Sequence, residues 1–344
     1  MTENGHVVVA RATPGKQAHF PDVVRLADGR LLVAYREGAG HVSHEGRICT
    51  VESDDGGRTW SPPTVVVDSE HDDRDPKLGV TADGAVLLSY FVIDWTTRPR
   101  HTALGTYVRR SDDGGRTWSD PVPAGTAMSG ATGRTEGGYP LGWAGSHGGA
   151  VQVPDGDVLL PLYGTVPTSR WQRATIVRSR DGGRTWPAAT EVVLAEGDGI
   201  HFQEPTLTVL GTGEVVALIR TTVEQAYLAR SRDAGRTWSA AEPTDMPASS
   251  HHALALSTGE VLVTYGDLSP RFSSRRETVG RLVRRPAESW DGYADVQLYD
   301  SGHDDQANPS SVEISPTRFL TLSFDVVAAT VIGVFTGPDD YPAG

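Results

Sequence analysis

The sequence holds one cysteine, Cys49, in 344 residues. A lone thiol forms no intrachain disulfide and cannot supply a thiolate metal cluster. No apolar stretch is long enough to span a bilayer, so no membrane partner is expected. Apolar residues do not recur at helical spacing over a useful length, which leaves little room for helices. Positive charge is also scarce: 31 Lys and Arg face 44 Asp and Glu, a net charge of −13. That balance argues against a nucleic-acid partner. Phosphate-loop and dinucleotide fingerprints are missing, and no cofactor is expected. The N-terminus, Met1-Thr2-Glu3-Asn4-Gly5-His6, has no basic region followed by an apolar run. It does not read as a signal peptide, and a cytoplasmic location is the expectation.

What the sequence has is turns. Gly 39 and Pro 22 fit many tight connections. One phrase recurs: Ser53-Asp54-Asp55-Gly56-Gly57-Arg58-Thr59-Trp60, again at Ser111–Trp118, and in close variants at Ser179–Trp186 and Ser231–Trp238. The tryptophans follow one another at intervals of 58, 68 and 52 residues. A phrase returning at such intervals marks a repeat architecture. Ser and Asp side chains can accept backbone N–H bonds and close a compact turn. The second Gly can take φ > 0. The indole that follows can fill the gap between neighbouring sheets. Strand-like runs flank each phrase, such as Gly46–Val51 before the first and Thr64–Val67 after it. A hairpin turn is therefore predicted. The rival reading is a calcium loop, but that needs a Glu at its twelfth position and flanking helices, neither of which is visible.

A second marker repeats six times: a short loop, an apolar strand, a Gly turn and another apolar strand. The loops begin at His19-Phe20-Pro21, Arg74-Asp75-Pro76, Ser146-His147-Gly148, Gln203-Glu204-Pro205, Ser250-His251-His252 and Ala307-Asn308-Pro309. The fifth unit carries Glu288–Gly292 in place of the turn phrase, and the sixth carries none. Six units of about four short strands predict an all-β, six-bladed β-propeller, whose closed ring hides its strand edges. Residues 1–344 read as a single domain, with Val7–Ala10 as the outer strand of the last blade beside Val331–Phe335.

In a propeller the residues just ahead of each first strand ring one mouth of the channel. Here they are His19, Arg74, Asp75, His147, Gln203, Glu204, His251, His252 and Asn308. Ordinary loop polars would account for any one of them. Ionisable groups at equivalent positions of several units point to a pocket.

The four phrases, with Glu204-Pro205-Thr206-Leu207 leading to Ala217-Leu218-Ile219-Arg220, resemble the sialidase (neuraminidase) superfamily and its Asp-box repeats. The resemblance covers nearly the whole chain. It implies three arginines holding a substrate carboxylate, a tyrosine nucleophile activated by a glutamate, and an aspartate acid/base. Glu204 and Arg220 match the glutamate and the arginine after it. Arg276 matches another arginine, with Arg271 and Arg275 as competitors. The family's Arg-Ile-Pro phrase reads His19-Phe20-Pro21 here. The aspartate is expected in the loop Arg36–Glu45, which has none; His44 lies nearest that place. The tyrosine is expected near Asn308, which cannot replace a phenolate.

The expectation is thus a divergent member acting on an acidic, carboxylate-bearing sugar by a non-standard hydrolytic mechanism. The catalytic candidates are Glu204, His44, Asp75 and His147, with Glu37 and Glu45 as further carboxylates. The substrate-binding candidates are Arg220, Arg276, Arg36, Arg74, His19, Gln203, His251 and Asn308. A lyase with a histidine or tyrosine base and a non-catalytic carbohydrate-binding propeller stay open as alternatives. No metal-ligand spacing is present, although His147, His251 or His252 could meet a carboxylate across the channel. Neighbouring His251 and His252 point to opposite faces of a strand, so at most one is expected to face the channel.

Overall fold

The computed structural model describes residues 5–95, 101–130, 133–134, 140–269 and 271–342. They form an all-β propeller. The helical residues among them are two three-residue 3-10 turns, Ala188–Thr190 and Pro338–Asp340.

Antiparallel strands follow one another in chain order from the channel outward. Gln17–Arg25, Leu31–Gly38, Gly46–Ser53 and Thr64–Val67 make one run, and Asp72–Val80, Val86–Asp94, Thr102–Ser111 and Val122–Pro123 the next. A single parallel pair, Gly46 with Asp72, joins these two runs into one eight-stranded sheet. In the third run, Trp143–Gly145 and Val151–Gln152 both pair with Val158–Thr165, and Arg173–Ser179 and Val192–Ala195 follow. Two four-stranded sheets come next: Phe202–Val209 through Glu242–Pro247, and His251–Ala255 through Asp295–Tyr299. The last sheet holds Gln306–Ser315, Arg318–Asp325 and Thr330–Thr336, and its outer strand is His6–Arg11 from the N-terminus. The first strands of successive runs pack side by side, and Gln306–Ser315 returns to Gln17–Arg25, closing a ring.

The recurring phrase is a turn locked by its own side chains. Ser111 Oγ accepts the Gly115 N–H at 2.8 Å. Asp113 Oδ1 accepts the N–H groups of Arg116 and Thr117, and Oδ2 accepts the Thr117 hydroxyl at 2.6 Å. The same bonds recur at Asp55, Asp181 and Asp233. They hold Asp113 well below the usual carboxylate range, with the Thr117 hydroxyl as the largest cause.

Each turn also docks on the sheet before it. The second Gly has φ between +76° and +90° in all four copies. A Cβ there would meet a leucine methyl of the preceding sheet: Leu320 at Gly57, Leu32 at Gly115, Leu87 at Gly183 and Leu159 at Gly235. Arg110 and Arg178 extend the contact forward, donating to the Gly182 and Ala234 carbonyls of the next turn. Arg230 donates in the same way to Pro286 O, so the Glu288–Gly292 segment of the fifth repeat occupies the place of the missing phrase. Trp186 is buried among Leu87, Leu160 and Val177, between two sheets. Trp186 therefore fills an inter-sheet gap, as expected from its position, whereas Trp60, Trp118 and Trp238 are partly buried against neighbouring clusters.

Gly183→Ala and Gly156→Ala separate backbone strain from inter-sheet contact, since both glycines have φ near +90° but only Gly183 has close neighbours. Gly156→Ala should cost about 1–3 kcal/mol for the backbone alone. Gly183→Ala should cost measurably more in urea denaturation, because Leu87 must yield. Equal losses would refute the docking contact.

Candidate active site

Of the channel-mouth residues, His147 precedes its strand, as the sequence suggests, but the others lie within theirs. Pairing slips between His19 and Asp22, Arg74 and Lys77, Gln203 and Thr206, and Ala307 and Ser310. At each slip the residue before proline has positive φ: Phe20 +54°, Asp75 +48°, Glu204 +47° and Asn308 +47°. Left-handed backbone at a non-glycine residue costs free energy and clusters at functional sites. Here four inner strands bulge at one level and turn these side chains toward one place. Asp75, Glu204, Asn308 and Phe20 line a cavity of about 370 Å³, together with Arg74, Arg220, Ser250, Arg276, Tyr163, Trp143 and His41.

Glu204 is the centre of a charged network. Arg220 Nη1 lies 3.0 Å from each of its carboxylate oxygens, and Ser250 Oγ donates to Oε2. Burial pushes this carboxyl up, but Arg220, His147 and Ser250 outweigh burial and hold it well below the usual range. Arg276 Nη2 donates to the same Ser250 Oγ at 3.0 Å, and Arg220 Nη1 lies 3.4 Å from it. Two guanidiniums thus converge on one hydroxyl. Arg220 is neutralised by Glu204, whereas Arg276 has no ion-pair partner among the described residues. Its Nε is buried without a hydrogen bond. Burial and the neighbouring Arg220 push the Arg276 guanidinium down to about 10. A guanidinium without a carboxylate partner, beside a second one, is suited to capture of a carboxylate.

The opposite wall holds Arg74 and Asp75. Arg74 donates to His41 O at 2.8 Å and to Asp72 at 2.9 Å, and sits 5.4 Å over the Phe20 ring. Asp75 Oδ1 is buried without a hydrogen-bond partner. Its Oδ2 lies 3.9 Å from His147 Nδ1, which is ion-pair range and too long for a hydrogen bond. Burial raises Asp75, but His147 and Arg74 pull it below the ordinary carboxylate value. Tyr163 comes from Val158–Thr165, with its ring edge-on to Trp143 at 5.4 Å. Burial, then Glu204 and Asp75, raise its hydroxyl well above the usual value. A neutral phenol therefore sits in the field of two carboxylates and two guanidiniums.

Of the three arginines competing for one role, the structure brings Arg276 to Glu204. Arg271 pairs with Asp267 and Asp295, and Arg275 with Asp300. Several expected residues lie elsewhere. Arg36 is fully buried and bound to Asp72, Ser43 Oγ and Gly40 O, so it braces the first sheet rather than binding substrate. His44 is exposed and does not line the cavity; His41, three residues earlier, does. Glu37 is consumed by Arg47 and Thr13, and Glu45 is an exposed partner of Lys16. His19 is buried behind the cavity wall beside Asp305. Gln203 bonds Gln172 and lines an adjoining hollow that shares Arg220 and Leu268 with the cavity. His251 packs on Tyr265 at 4.7 Å, and burial pushes its imidazole down to about 3. His252 lines the channel instead, where it accepts the Ser311 N–H. Sequence reasoning missed Tyr163, Trp143, Phe20 and His41. Tyr163 sits mid-strand in an apolar run, where only the position in space reveals it.

Bulged inner strands around a charged cavity, on an Asp-box propeller, define a sialidase-like architecture. The chain belongs to the BNR repeat-like domain family, whose model matches residues 29–314. Among solved structures it is similar to a protein of unknown function from Dyadobacter fermentans DSM 18053, at 24% identity and TM-score 0.83 over 97% of this chain and 98% of that one. It is also similar to the Hadza microbial sialidase Hz136, at 19% identity and TM-score 0.73, covering 95% of this chain and 66% of that chain. The intramolecular trans-sialidase from Ruminococcus gnavus matches at 14% identity and TM-score 0.70, over 100% and 99%. Among curated proteins no relative is found.

The network around Glu204 makes a pH prediction. Its folded pKa is depressed, so the ion pair stabilises the fold fully above the ordinary value of 4.5 and loses that contribution as pH falls toward the lower folded value. The stability gap between wild type and Glu204→Gln in denaturant titrations should be constant above about pH 6 and narrow on acidification below the ordinary value. A gap independent of pH would show that the Arg220 pair does not set the charge of Glu204.

Proposed function

We propose that the protein is a single-domain, six-bladed propeller that hydrolyses a glycoside of an acidic, carboxylate-bearing sugar. The eight-stranded sheet then counts as two blades bridged by Gly46 and Asp72. The observation that carries the activity is the convergence of Arg220 and Arg276 on Ser250 Oγ beside Glu204. A substrate carboxylate seated on these guanidiniums would compete with Glu204 for Arg220. Glu204 would then become more basic just as substrate arrives.

Asn308 holds the place of the usual tyrosine, and Tyr163 supplies a phenol from a different strand. In this reading Tyr163 gives its proton to Glu204 as its oxygen bonds to the anomeric carbon. The bond from that carbon to the aglycone oxygen breaks, and the oxygen takes a proton from the Asp75–His147 pair. Water then returns a proton to that pair, its oxygen displaces Tyr163, and Tyr163 recovers its proton from Glu204. A second reading uses the same groups: after Glu204 takes the Tyr163 proton, the Tyr163 oxygen would act as the base of a lyase, next to a carboxylate neutralised by Arg276.

The test is turnover of aryl glycosides of acidic sugars against their neutral counterparts, with product analysis. Hydrolysis confined to the acidic sugars is expected. Arg276→Ala and Arg220→Ala should abolish it without loss of fold, and Tyr163→Phe should slow it at least ~100-fold. A product with a new C=C absorbance would replace the hydrolase with the lyase. Saturable binding without turnover would leave a carbohydrate-binding propeller. Full activity in Arg276→Ala would remove the carboxylate clamp.

A further inference from the structure

We propose that His19, His41 and Asp305 form a binding site for a divalent transition-metal ion of the Zn2+ class, set in the wall of the cavity. The three residues come from segments far apart in the chain: the inner strand Gln17–Arg25, the connection between Leu31–Gly38 and Gly46–Ser53, and the residue just ahead of Gln306–Ser315. One ligand atom from each lies within 4.8 Å of the others. Asp305 Oδ1 is 2.8 Å from His41 Nδ1, and Oδ2 is 3.6 Å from His19 Nε2.

His19 provides the independent observation. Its side chain is fully buried, yet neither ring nitrogen has a hydrogen-bond partner. Buried polar groups are nearly always satisfied, and an exception calls for a reason. At 3.6 Å the Asp305 oxygen is too far to be that partner. A cation between the three groups would use the free lone pair of His19 and both bridging interactions of Asp305. Phe20 and Phe324 pack against the His19 ring at 5.3 and 5.2 Å, and Phe20 meets His41 edge-on at 5.0 Å, so both imidazoles are held in place. His41 is 46% exposed and Asp305 26%, which leaves a route in from solvent. The nearby guanidiniums of Arg36 and Arg74 share Asp72, and Arg74 also lies 3.9 Å from Asp75, so two carboxylates offset their charge.

Two imidazoles and one carboxylate suit Zn2+ rather than Ca2+ or Mg2+, which take oxygen ligands, and leave a fourth position for water or substrate. The His41 carbonyl holds Arg74. A metal on the His41 ring would therefore fix the loop that positions Arg74 and Asp75.

The experiment uses the full chain without a histidine tag, stripped with chelator, loaded with Zn2+ and desalted. Metal content by mass spectrometry and the visible d–d absorption of the Co2+ form are read without substrate, so the result is independent of the proposed hydrolysis. Expected are one bound zinc per chain, a nitrogen- and oxygen-ligated Co2+ spectrum, and a melting temperature that rises with Zn2+. His41→Ala and Asp305→Asn should weaken binding by more than the ~10–100-fold typical of losing an outer-shell partner. His44→Ala, in the same exposed loop, should bind as wild type. His19→Ala is avoided as the primary variant because its site is buried. Wild-type protein that retains no zinc overturns the proposal, as does equal retention by His41→Ala and Asp305→Asn, or stabilisation by Ca2+ equal to that by Zn2+.

Discussion

The structure depends on one repeated contact: a glycine with positive φ, at the tip of an Asp-locked turn, pressed on a leucine of the preceding sheet. Each turn is rigid because one Asp accepts two backbone N–H groups and a threonine hydroxyl. A rigid turn that fits only one neighbour sets the rotation from one sheet to the next. Arg110, Arg178 and Arg230 repeat the lock from the other side by donating to the next turn's carbonyl. These contacts lie at the outer end of the sheets, while the chemistry lies at the channel mouth.

That separation explains how the mouth tolerates strain. Phe20, Asp75, Glu204 and Asn308 sit in left-handed backbone, and several polar atoms near them are buried without partners. Each feature costs stability. The leucine-rich inter-sheet clusters and the four turn contacts lie away from the residues that line the cavity. The scaffold can hold the mouth in an unfavourable arrangement because it does not rely on the mouth for its own cohesion. The result is a preorganised set of charges: an ion pair, Glu204 with Arg220, next to a guanidinium, Arg276, that donates to Ser250 and has no carboxylate partner among the described residues.

Much of this was legible in the residues. The turn phrase spelled out its own hydrogen bonds, and its recurrence marked a repeat architecture. Glu204, Asp75, Asn308 and Arg74 are legible because they stand at equivalent places ahead of the first apolar strand of their units. The loop Arg36–Glu45 was less legible. Local order suggested His44, but the chain's path exposes His44 and turns His41 to the cavity, while Arg36 is drawn inward by Asp72. Arg276 could not be told from Arg271 and Arg275, since three basic residues in one segment look alike until their acidic partners are known.

By itself the sequence determined the turns, the repeat and the ring of polar groups, because those follow from bonds within a few residues and from a period. Only the tertiary structure decided which groups meet. Tyr163 lies 41 residues before Glu204 in another sheet, and its place beside Glu204 and Asp75 follows from the packing of neighbouring sheets, which no local pattern encodes. His19, His41 and Asp305 likewise share a site only because the last sheet returns to the first.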